Sequence, residues 1–527
     1  MRARLRPGGY RGATGRCPSC NGEADRGRRR VAHSITVRPP RLALVLALAL
    51  VLRLVHVGAP ILGVHSWRQA DTAAMARNFH ENGYRFFEPQ VDWGGSGPGY
   101  VECELPAFPY AVALAYGVLG PSEAWGRLLA ALLSTLTVYL LYRLARDAYG
   151  DDRAALAAAF VFAVLPLSVF YGRAFMPESA MLCASVAALH AFDRWTATGK
   201  RRWYVLAAVA TAMAALLKLP CLYLGLPLLY LAWRTWGAGF VRRPALWLFA
   251  VLVLAPVALW YVHAHELYRH GGVTFGIWGY GSDKWGNWGL VASSDFWNGV
   301  LLRSLAERQL TWAGVPLAVA GLLLPRVGRR GGLVDWWLAA LGVYLVVVAR
   351  GNLLHEYYQL PFLPPLSIAM GRAIAAAFAP GDHRALRAGV ATALVAAMLV
   401  LSGSRLTSYW RREEPPRSML HRLALEVDRQ TRPGARIVAL DQGNPTLLYL
   451  AHRKGWHARW EDLVPATLQA RAAEGAGYAA GLREDLHGST AIEDAVRAGV
   501  GRDLLRSDPD AFLLQLTPPR AGGTDGD

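Results

Sequence analysis

The sequence predicts an all-α polytopic membrane protein of about eleven transmembrane helices, followed by a small α/β domain. The first reason is composition: 54% of the 527 residues are hydrophobic and only 18% are charged, which is too apolar for a soluble protein of this length. The second reason is that apolar stretches long enough to cross about 30 Å of hydrocarbon recur along the chain. They lie at about residues 41–58, 124–145, 154–172, 178–193, 203–217, 219–233, 244–262, 311–325, 333–349, 358–379 and 386–403.

The positions of the Lys and Arg residues predict the orientation of these helices. Every second connection between apolar stretches is basic, as at 143–153, 194–202, 234–243 and 326–330, and residues 1–38 are rich in Arg. Because cytoplasmic connections carry the excess of positive charge, the N-terminus is expected in the cytoplasm. An odd number of spans then predicts an extracytoplasmic C-terminus. The same distribution explains the net charge of +18 without a nucleic-acid partner.

The N-terminal segment and the membrane domain are predicted to differ in order. Residues 1–38 are expected to form a disordered, basic cytoplasmic tail. Within it, Cys17 and Cys20 form a CPSC pair, for which a zinc site is the alternative, although no second ligand pair accompanies it. The membrane domain extends over residues 39–403. Its first apolar stretch lacks a small-residue cleavage site and is therefore predicted to be a retained signal anchor.

Three segments on the extracytoplasmic side are too long to be simple connections. The first loop, residues 59–123, carries an acidic motif and an apolar run at 108–119 that is too short to span and is expected in the membrane interface. The second loop, residues 263–310, is rich in Gly and aromatic residues. The third segment, residues 404–527, is predicted to form the small α/β domain, with a helix-like run at 418–429 and strand-like runs at 436–440 and 511–516.

Carboxylates in the first loop are the first candidates for chemistry. Asp71, Glu102 and Glu104 lie next to the membrane, where a general base or a metal ligand is needed to act on a lipid-linked substrate. Asp71 is the sharpest candidate. The alternative is that Asp71 caps a helix that begins at Thr72, because Asp is a favoured N-cap residue; the two roles are compatible.

Cations at the predicted outer ends of spans are the second candidates. Arg68, Arg173, Lys218 and Arg350 lie there, against the positive-inside rule. Snorkelling of one side chain to the interface is an even alternative for each of them. Four such cations at one face of the membrane favour binding of an anionic ligand such as a phosphate.

Aromatic residues crowd the second loop, namely Trp278, Tyr280, Trp285, Trp288 and Trp297. Their flat faces suit stacking on sugar rings, and they equally suit an interfacial aromatic belt. We prefer the interfacial belt as the interpretation for most of these residues, and we expect one or two of them to line a groove.

Four short motifs follow one another along the predicted membrane domain. Asp71 follows the first span, in the run WRQADT at 67–72. Glu104 precedes Leu105-Pro106. Arg173-Ala-Phe-Met-Pro-Glu178 opens a span, and His355-Glu-Tyr-Tyr-Gln-Leu-Pro361 enters a late one. With these motifs in this order, the chain from Arg41 to about Gly371 resembles the polyprenyl-phosphate-sugar-dependent glycosyltransferases of the GT-C superfamily, which include protein O-mannosyltransferases and lipid A aminoarabinose transferases. Thr72 stands where several relatives have a second acid.

The resemblance implies a GT-C fold and an inverting displacement, in which an acceptor hydroxyl loses its proton while it attacks the anomeric carbon and the lipid phosphate leaves. It implies Asp71 as the general base and Glu104 as the group that orients the acceptor or a cation. Substrate-binding roles are implied for Arg68, Glu102, Arg173, Glu178, Lys218, Arg350, His355 and Tyr358. For Tyr358, a role in helix packing is an even alternative. No cofactor is certain, and a divalent cation held by Asp71 and Glu104 is left open.

The implied partners are a polyprenyl-phosphate-sugar donor, the lipid bilayer and an envelope acceptor that is a lipid, a glycan or a protein. The implied location is the bacterial plasma membrane, and the implied process is lipopolysaccharide or glycan biosynthesis. Two other classes of function are weighed against this one: a polytopic lipid or glycan transporter or flippase, and a non-catalytic protein of envelope assembly. Transporters usually bind at the midplane of the bilayer, whereas the predicted spans contain few acidic residues.

Overall fold

The computed structural model describes residues 39–276 and 284–518. The predicted cytoplasmic tail, with Cys17 and Cys20, lies outside the described residues, as do Trp278 and Tyr280 of the second loop.

The membrane region consists of α-helices. Their bounds are α1 (Pro39–Leu54), α2 (Ser66–Glu81), α3 (Ala107–Leu119), α4 (Glu123–Tyr149), α5 (Asp152–Val164), α6 (Pro166–Tyr171), α7 (Glu178–Thr198), α8 (Arg201–Leu217), α9 (Gly225–Trp236), α10 (Pro244–Gly271), α11 (Trp288–Ala292), α12 (Ser294–Trp297), α13 (Gly314–Leu323), α14 (Leu333–Val347), α15 (Ala349–Leu354), α16 (Leu363–Ala377) and α17 (Arg384–Arg411). Tighter 3₁₀ turns occupy Leu219–Leu224, Gly237–Arg242 and Glu356–Phe362, and a π-helix occupies Asn298–Leu310.

Each predicted apolar stretch coincides with helical structure, which supports a helical polytopic membrane protein. In the described part of the chain, four helical segments are long and apolar enough to cross a membrane on their own: α4, α10, Glu356–Ala377 and α17. The stretch 154–172 is divided because Pro166 has no N–H to donate, so α5 ends at Val164 and α6 begins at the proline. The total of eleven spans remains a prediction.

Small residues allow the helices to pack closely. The faces of α5 and α16 meet at Gly371, where a Cβ atom would lie 2.5 Å from the carbonyl oxygen of Ala154. A glycine is required at such an approach, as is common where membrane helices meet.

The first loop contains α2, α3 and a short strand β1 (Val101–Glu102). This strand pairs in parallel with β2 (Val273–Thr274) and so joins the first loop to the second loop. Because α2 begins at Ser66, with His65 at its N-cap in the left-handed conformation, Asp71 lies inside the helix. The alternative prediction that Asp71 caps a helix beginning at Thr72 is therefore wrong.

The C-terminal segment folds around a five-stranded sheet. Its elements are α18 (Met419–Gln430), β3 (Arg436–Leu440), α19 (Thr446–Leu450), β4 (Lys454–Ala458), α20 (Pro465–Ala473), β5 (Ala476–Leu482), α21 (Ala491–Arg497), β6 (Gly501–Asp503) and β7 (Ala511–Leu516). The strand order is β4-β3-β5-β7-β6. Strands β4, β3 and β5 are parallel, and β7 runs antiparallel to both β5 and β6. Alternate residues of β3 enter two separate apolar clusters, one on each face of the sheet.

The C-terminal sheet contacts the first loop directly. The edge strand β4 exchanges two backbone hydrogen bonds with that loop: the N–H of Gly95 donates to the carbonyl of Gly455 at 2.8 Å, and the N–H of Gly455 donates to the carbonyl of Asp92 at 2.9 Å. The loop thus protects an edge that would otherwise expose unpaired backbone groups. It also brings the sheet to the same end of the helix bundle as α2.

Candidate functional site

A cavity of about 210 Å³ lies where α2, the two loops, the ends of several spans and the C-terminal sheet meet. Its lining residues come from distant parts of the chain. They are Trp67, Arg68, Asp71, Trp93, Glu104, Lys218, Thr274, Phe275, Lys284, His355, Tyr357, Tyr358, Gly443, Pro445 and His457.

One face of α2 supplies three of these residues. Asp71 follows Trp67 by four residues and Arg68 by three, so the helical period places its side chain beside both of theirs. Asp71 is 3% exposed, and its Oδ1 accepts a hydrogen bond from Nε1 of Trp93 at 2.9 Å. Burial raises the pKa of Asp71 to about 7, although Trp93 and the charge of Arg68 oppose that shift. A carboxyl group with this pKa exchanges a proton readily at neutral pH.

Arg68 and Glu104 form a partly buried ion pair in the wall of the cavity. Nη2 of Arg68 donates to Oε2 of Glu104 at 2.9 Å, and the guanidinium lies over the ring of Phe275 at 4.6 Å. Burial by itself would raise the pKa of Glu104, but Arg68, Lys218 and Lys284 outweigh it and lower the pKa to about 2. Glu104 is therefore ionised at neutral pH and is a poor proton acceptor, unlike Asp71.

Lys218 is held in place by Glu178 and by two aromatic rings. Its Nζ donates to Oε1 of Glu178 at 2.7 Å. The same ammonium lies 4.7 Å from the ring centre of Tyr357 and 4.2 Å from that of Tyr358. Glu178 does not line the cavity itself, so it acts on the cavity through Lys218.

His355 forms part of an aromatic wall. Its ring is stacked on Tyr357 at 5.4 Å and lies 5.5 Å from Trp67. Burial, together with His65 and the nearby cations Lys218, Lys284 and Arg68, lowers the pKa of His355 to about 3. The imidazole is therefore neutral at pH 7 and offers a hydrogen bond rather than a charge.

Besides Glu178, three predicted substrate-binding residues lie away from the cavity lining. Glu102 is fully buried and accepts a hydrogen bond from the hydroxyl of Thr274, beside the β1–β2 pairing. The guanidinium of Arg173 donates to Glu413, which follows α17, because a buried arginine needs an anionic partner. Arg350, on α15, is exposed and is not part of the cavity wall. Contact of these three residues with the substrate stays a prediction.

Several lining residues were missed from the sequence, above all Lys284, Trp93 and His457. Lys284, in the second loop, donates to the backbone carbonyl of Phe275. Burial lowers its pKa to about 8, against the opposing charge of Glu104. Its position as a lysine within a Gly- and Trp-rich external loop could have identified Lys284 as a candidate site residue from the sequence. No sequence pattern pointed to His457, because it lies on an ordinary strand of the C-terminal sheet.

The charge of the cavity favours an anion. Among the described residues that line it, three are cations, Arg68, Lys218 and Lys284, against the two carboxylates Asp71 and Glu104. Within the same described residues, no cluster of three or more His, Cys, Asp or Glu is arranged to hold a metal ion. The three cations that lower the pKa of Glu104 also oppose a divalent cation between the two carboxylates.

Comparisons with known proteins agree with this architecture. Residues 103–262 match a family described as dolichyl-phosphate-mannose-protein mannosyltransferase. The chain is similar to undecaprenyl phosphate-alpha-4-amino-4-deoxy-L-arabinose arabinosyl transferase 1 of Pseudomonas fluorescens, with 27% identity over 351 residues, 61% of this chain and 56% of that protein. The corresponding protein of Pseudomonas aeruginosa is 28% identical over 337 residues. The chain thus spans little more than half the length of these relatives.

Two solved structures share the fold. ArnT from Cupriavidus metallidurans, solved with undecaprenyl phosphate bound, superposes with a TM-score of 0.63 and 16% identity over 91% of this chain and 98% of that one. The oligosaccharyltransferase of Archaeoglobus fulgidus superposes with a TM-score of 0.53 and 16% identity over 84% of this chain and 69% of that one. The predicted resemblance to polyprenyl-phosphate-dependent GT-C glycosyltransferases is confirmed.

Proposed function

We propose that this protein, which shares its fold with those transferases, moves a sugar from a polyprenyl-phosphate donor to a hydroxyl group of an envelope acceptor, with inversion at the anomeric carbon. One observation carries the proposal: a single cavity joins a buried carboxyl group whose pKa is about 7 to three cations. The carboxyl group is suited to remove a proton from the acceptor, and the cations are suited to bind the phosphate of the donor.

Asp71 is the general base in this proposal. As the acceptor oxygen forms its bond to the anomeric carbon, its proton passes to Asp71, and the bond between that carbon and the phosphate oxygen breaks with its electron pair on the phosphate. Burial of Asp71 supports this role, because a carboxylate that is poorly solvated gains more from taking up a proton. Glu104 remains ionised and orients Arg68.

Arg68, Lys218 and Lys284 neutralise the departing phosphate. Each is already fixed by a partner, through Glu104, Glu178 and the carbonyl of Phe275 respectively. Cations held in this way need little reorganisation when charge develops, which is the condition under which electrostatic stabilisation is largest. Tyr358 and His355 lie beside them and provide hydrogen-bonding groups for the phosphate or the sugar.

An apolar path toward the membrane supports a lipid-linked donor. A smaller cavity of about 50 Å³ shares Glu104, Lys218, Lys284 and Tyr358 with the main cavity. It continues into an apolar groove of about 380 Å³ between Leu219–Leu224 and α14, with which it shares Trp285 and Val348. An isoprenoid tail in this groove leaves its phosphate beside Lys218 and Lys284.

The proposed setting is the bacterial plasma membrane, with the cavity on the extracytoplasmic face. The location of the cavity at the ends of the helices, rather than at mid-height, is more typical of surface chemistry on a lipid than of transport. The acceptor class is an envelope lipid, glycan or protein that carries a free hydroxyl group.

The experiment compares cells that lack the protein with cells that carry the wild type or Asp71→Asn, using mass spectrometry of envelope lipids, glycans and proteins. A glycosyltransferase predicts one sugar modification that is present only with the wild type, together with accumulation of its polyprenyl-phosphate-linked precursor in the other two strains. A transporter or a scaffold predicts that Asp71→Asn restores the wild-type pattern, and that result would end the proposal.

A further inference from the structure

Trp93 connects Asp71 to the C-terminal sheet. Its indole Nε1 donates to Oδ1 of Asp71 at 2.9 Å. Its ring lies 4.7 Å from His457 on β4 and 6.5 Å from Phe275 in the second loop, measured between ring centres. The ring is therefore supported by residues of two other segments, and its N–H is directed at the proposed base.

The backbone next to Trp93 is held by the same strand. Gly455 accepts from Gly95 and donates to the carbonyl of Asp92, so strand β4 binds the loop on either side of Trp93. A Cβ at Gly455 would lie 2.0 Å from the carbonyl oxygen of Ile437, and one at Gly95 would lie 2.6 Å from Nε1 of Trp456. Both glycines permit an approach that larger residues would prevent.

The side chain of Asp92 attaches the loop at Trp93 to α2. Its Oδ1 accepts from the amide of Asn78 at 3.1 Å, and its Oδ2 accepts from Arg77 at 2.5 Å. Asn78 and Arg77 belong to α2, the helix that also carries Asp71. The loop at Trp93 is thus attached to the helix of the base on one side and to the C-terminal sheet on the other.

We infer that Trp93 is a positioning residue for Asp71, and that the C-terminal sheet takes part in the reaction by holding Trp93 through His457 and Gly455. This inference rests on the proposed function, in which Asp71 is the base. The indole N–H fixes the carboxylate in one orientation and stabilises its charged form. The C-terminal sheet therefore completes the reaction cavity and is more than an attachment to the membrane domain.

The other ionisable groups around Asp71 and Trp93 are held constant in the test. They are Arg68 and Arg77 on α2, Asp92 and Glu104 in the first loop, Lys284 in the second loop, Lys218 and His355 at the span ends, and His457 on β4. None of these is changed by the substitution Trp93→Phe, which keeps an aromatic ring and removes only the N–H donor together with part of the ring.

The measurement needs no substrate. Dicyclohexylcarbodiimide reacts with protonated carboxyl groups, so the rate at which it labels Asp71, followed by peptide mass spectrometry over a range of pH, reports the ionisation of that residue. In the purified wild type, labelling is expected to be half-maximal near pH 7. In Trp93→Phe the midpoint is expected to rise by about one pH unit, the effect of losing one hydrogen bond to a charged group.

Two further variants separate the parts of the inference. Trp125→Phe removes an indole that donates to the carbonyl of Gly120 at 3.0 Å, outside the cavity, and should leave the midpoint unchanged. His457→Ala removes the support on β4 and should raise the midpoint by a smaller amount, while His457→Phe, which keeps a ring, should not. All variants are first required to elute as the wild type does in gel filtration.

An unchanged midpoint in Trp93→Phe would overturn the role of Trp93, whatever the activity of the protein. If the labelling midpoint rises in Trp93→Phe but is unchanged in His457→Ala, the inference that the C-terminal sheet holds Trp93 in place is wrong. If the midpoints shift as expected but Asp71→Asn is fully active in cells, the proposed function fails, because the ionisation of Asp71 is then irrelevant to turnover. The outcomes are thereby distinguishable.

Discussion

Nζ of Lys218 lies 2.7 Å from Oε1 of Glu178, although one residue follows α8 and the other begins α7. Both side chains are buried, at 9% and 1% exposure. A pair of this kind stabilises the fold only while both partners are present, since each alone is a buried, uncompensated charge. It also ties two span ends together directly beside the cavity.

Glu178→Gln is therefore expected to lower the free energy of unfolding by about 3 kcal/mol, the usual cost of breaking a buried pair. The double variant Glu178→Gln/Lys218→Met should recover much of that loss, because the unpaired ammonium is gone. Thermal unfolding in detergent measures both. Equal stability of the single and double variants would contradict the ion-pair interpretation.

Asp71→Asn is expected to fold and to reach the membrane normally, with turnover reduced by roughly two to four orders of magnitude, the usual contribution of a general base. Asp71 lies inside α2 and makes no cap, so helix capping does not enter the comparison. Thr72→Ser, at the next position, is the control and should be near wild type. Wild-type turnover by purified Asp71→Asn would contradict the assignment of Asp71 as the base, and with it the proposed function, because Glu104 is too weak a proton acceptor to replace it.

The pH dependence of kcat/KM follows from two groups of the cavity. The base must be deprotonated, so activity should rise with pH through the pKa of Asp71, about 7. Lys284 must be protonated to bind phosphate, so activity should fall as pH rises through its pKa, about 8. Lys284→Arg should move only the alkaline limb, to higher pH, because a guanidinium keeps its proton. Movement of the acid limb in that variant would contradict this assignment.

Lys218→Ala and Lys284→Ala are expected to weaken the binding of undecaprenyl phosphate by about ten- to a hundredfold each, the effect of losing a hydrogen bond to a charged group. Arg350→Ala removes an exposed cation outside the cavity lining and is the matched control, with no change expected. Binding to the purified protein by native mass spectrometry measures all three. Similar losses in all three variants would reduce the effect to general electrostatics.

The orientation in the membrane is tested by cysteine labelling in intact cells with an impermeant reagent, after Cys17 and Cys20 are replaced by Ser. A cysteine at Thr198, exposed at the end of α7, should remain unlabelled, and one at Glu461, exposed in the C-terminal domain, should be labelled. The described cysteines Cys103, Cys183 and Cys221 are buried and give little background. Labelling at Thr198 would reverse the predicted orientation.

The sequence by itself determined the helical membrane architecture and many of the residues that line the cavity. Apolar runs long enough for a bilayer leave few alternatives to helices, because backbone groups in hydrocarbon must be paired within the segment. Asp71, Arg68, Glu104 and Lys218 were predicted from residue chemistry and position, and His355 and Tyr358 from the family resemblance. All six line one cavity. Local spacing was enough for Arg68 and Asp71, since a single helical turn places them together.

Only the tertiary structure decided which of several similar groups face the cavity. Arg173 and Lys218 are both cations at span ends, yet the partner of Arg173 is Glu413, more than 200 residues away. Lys284 and His457 reach the cavity because loops and a sheet from distant parts of the chain pack over α2. Such contacts depend on pairing between remote segments, which leaves no periodic pattern in the sequence. The position of Asp71 within α2 was likewise decided by the start of the helix at Ser66, where His65 takes a left-handed conformation that composition does not predict.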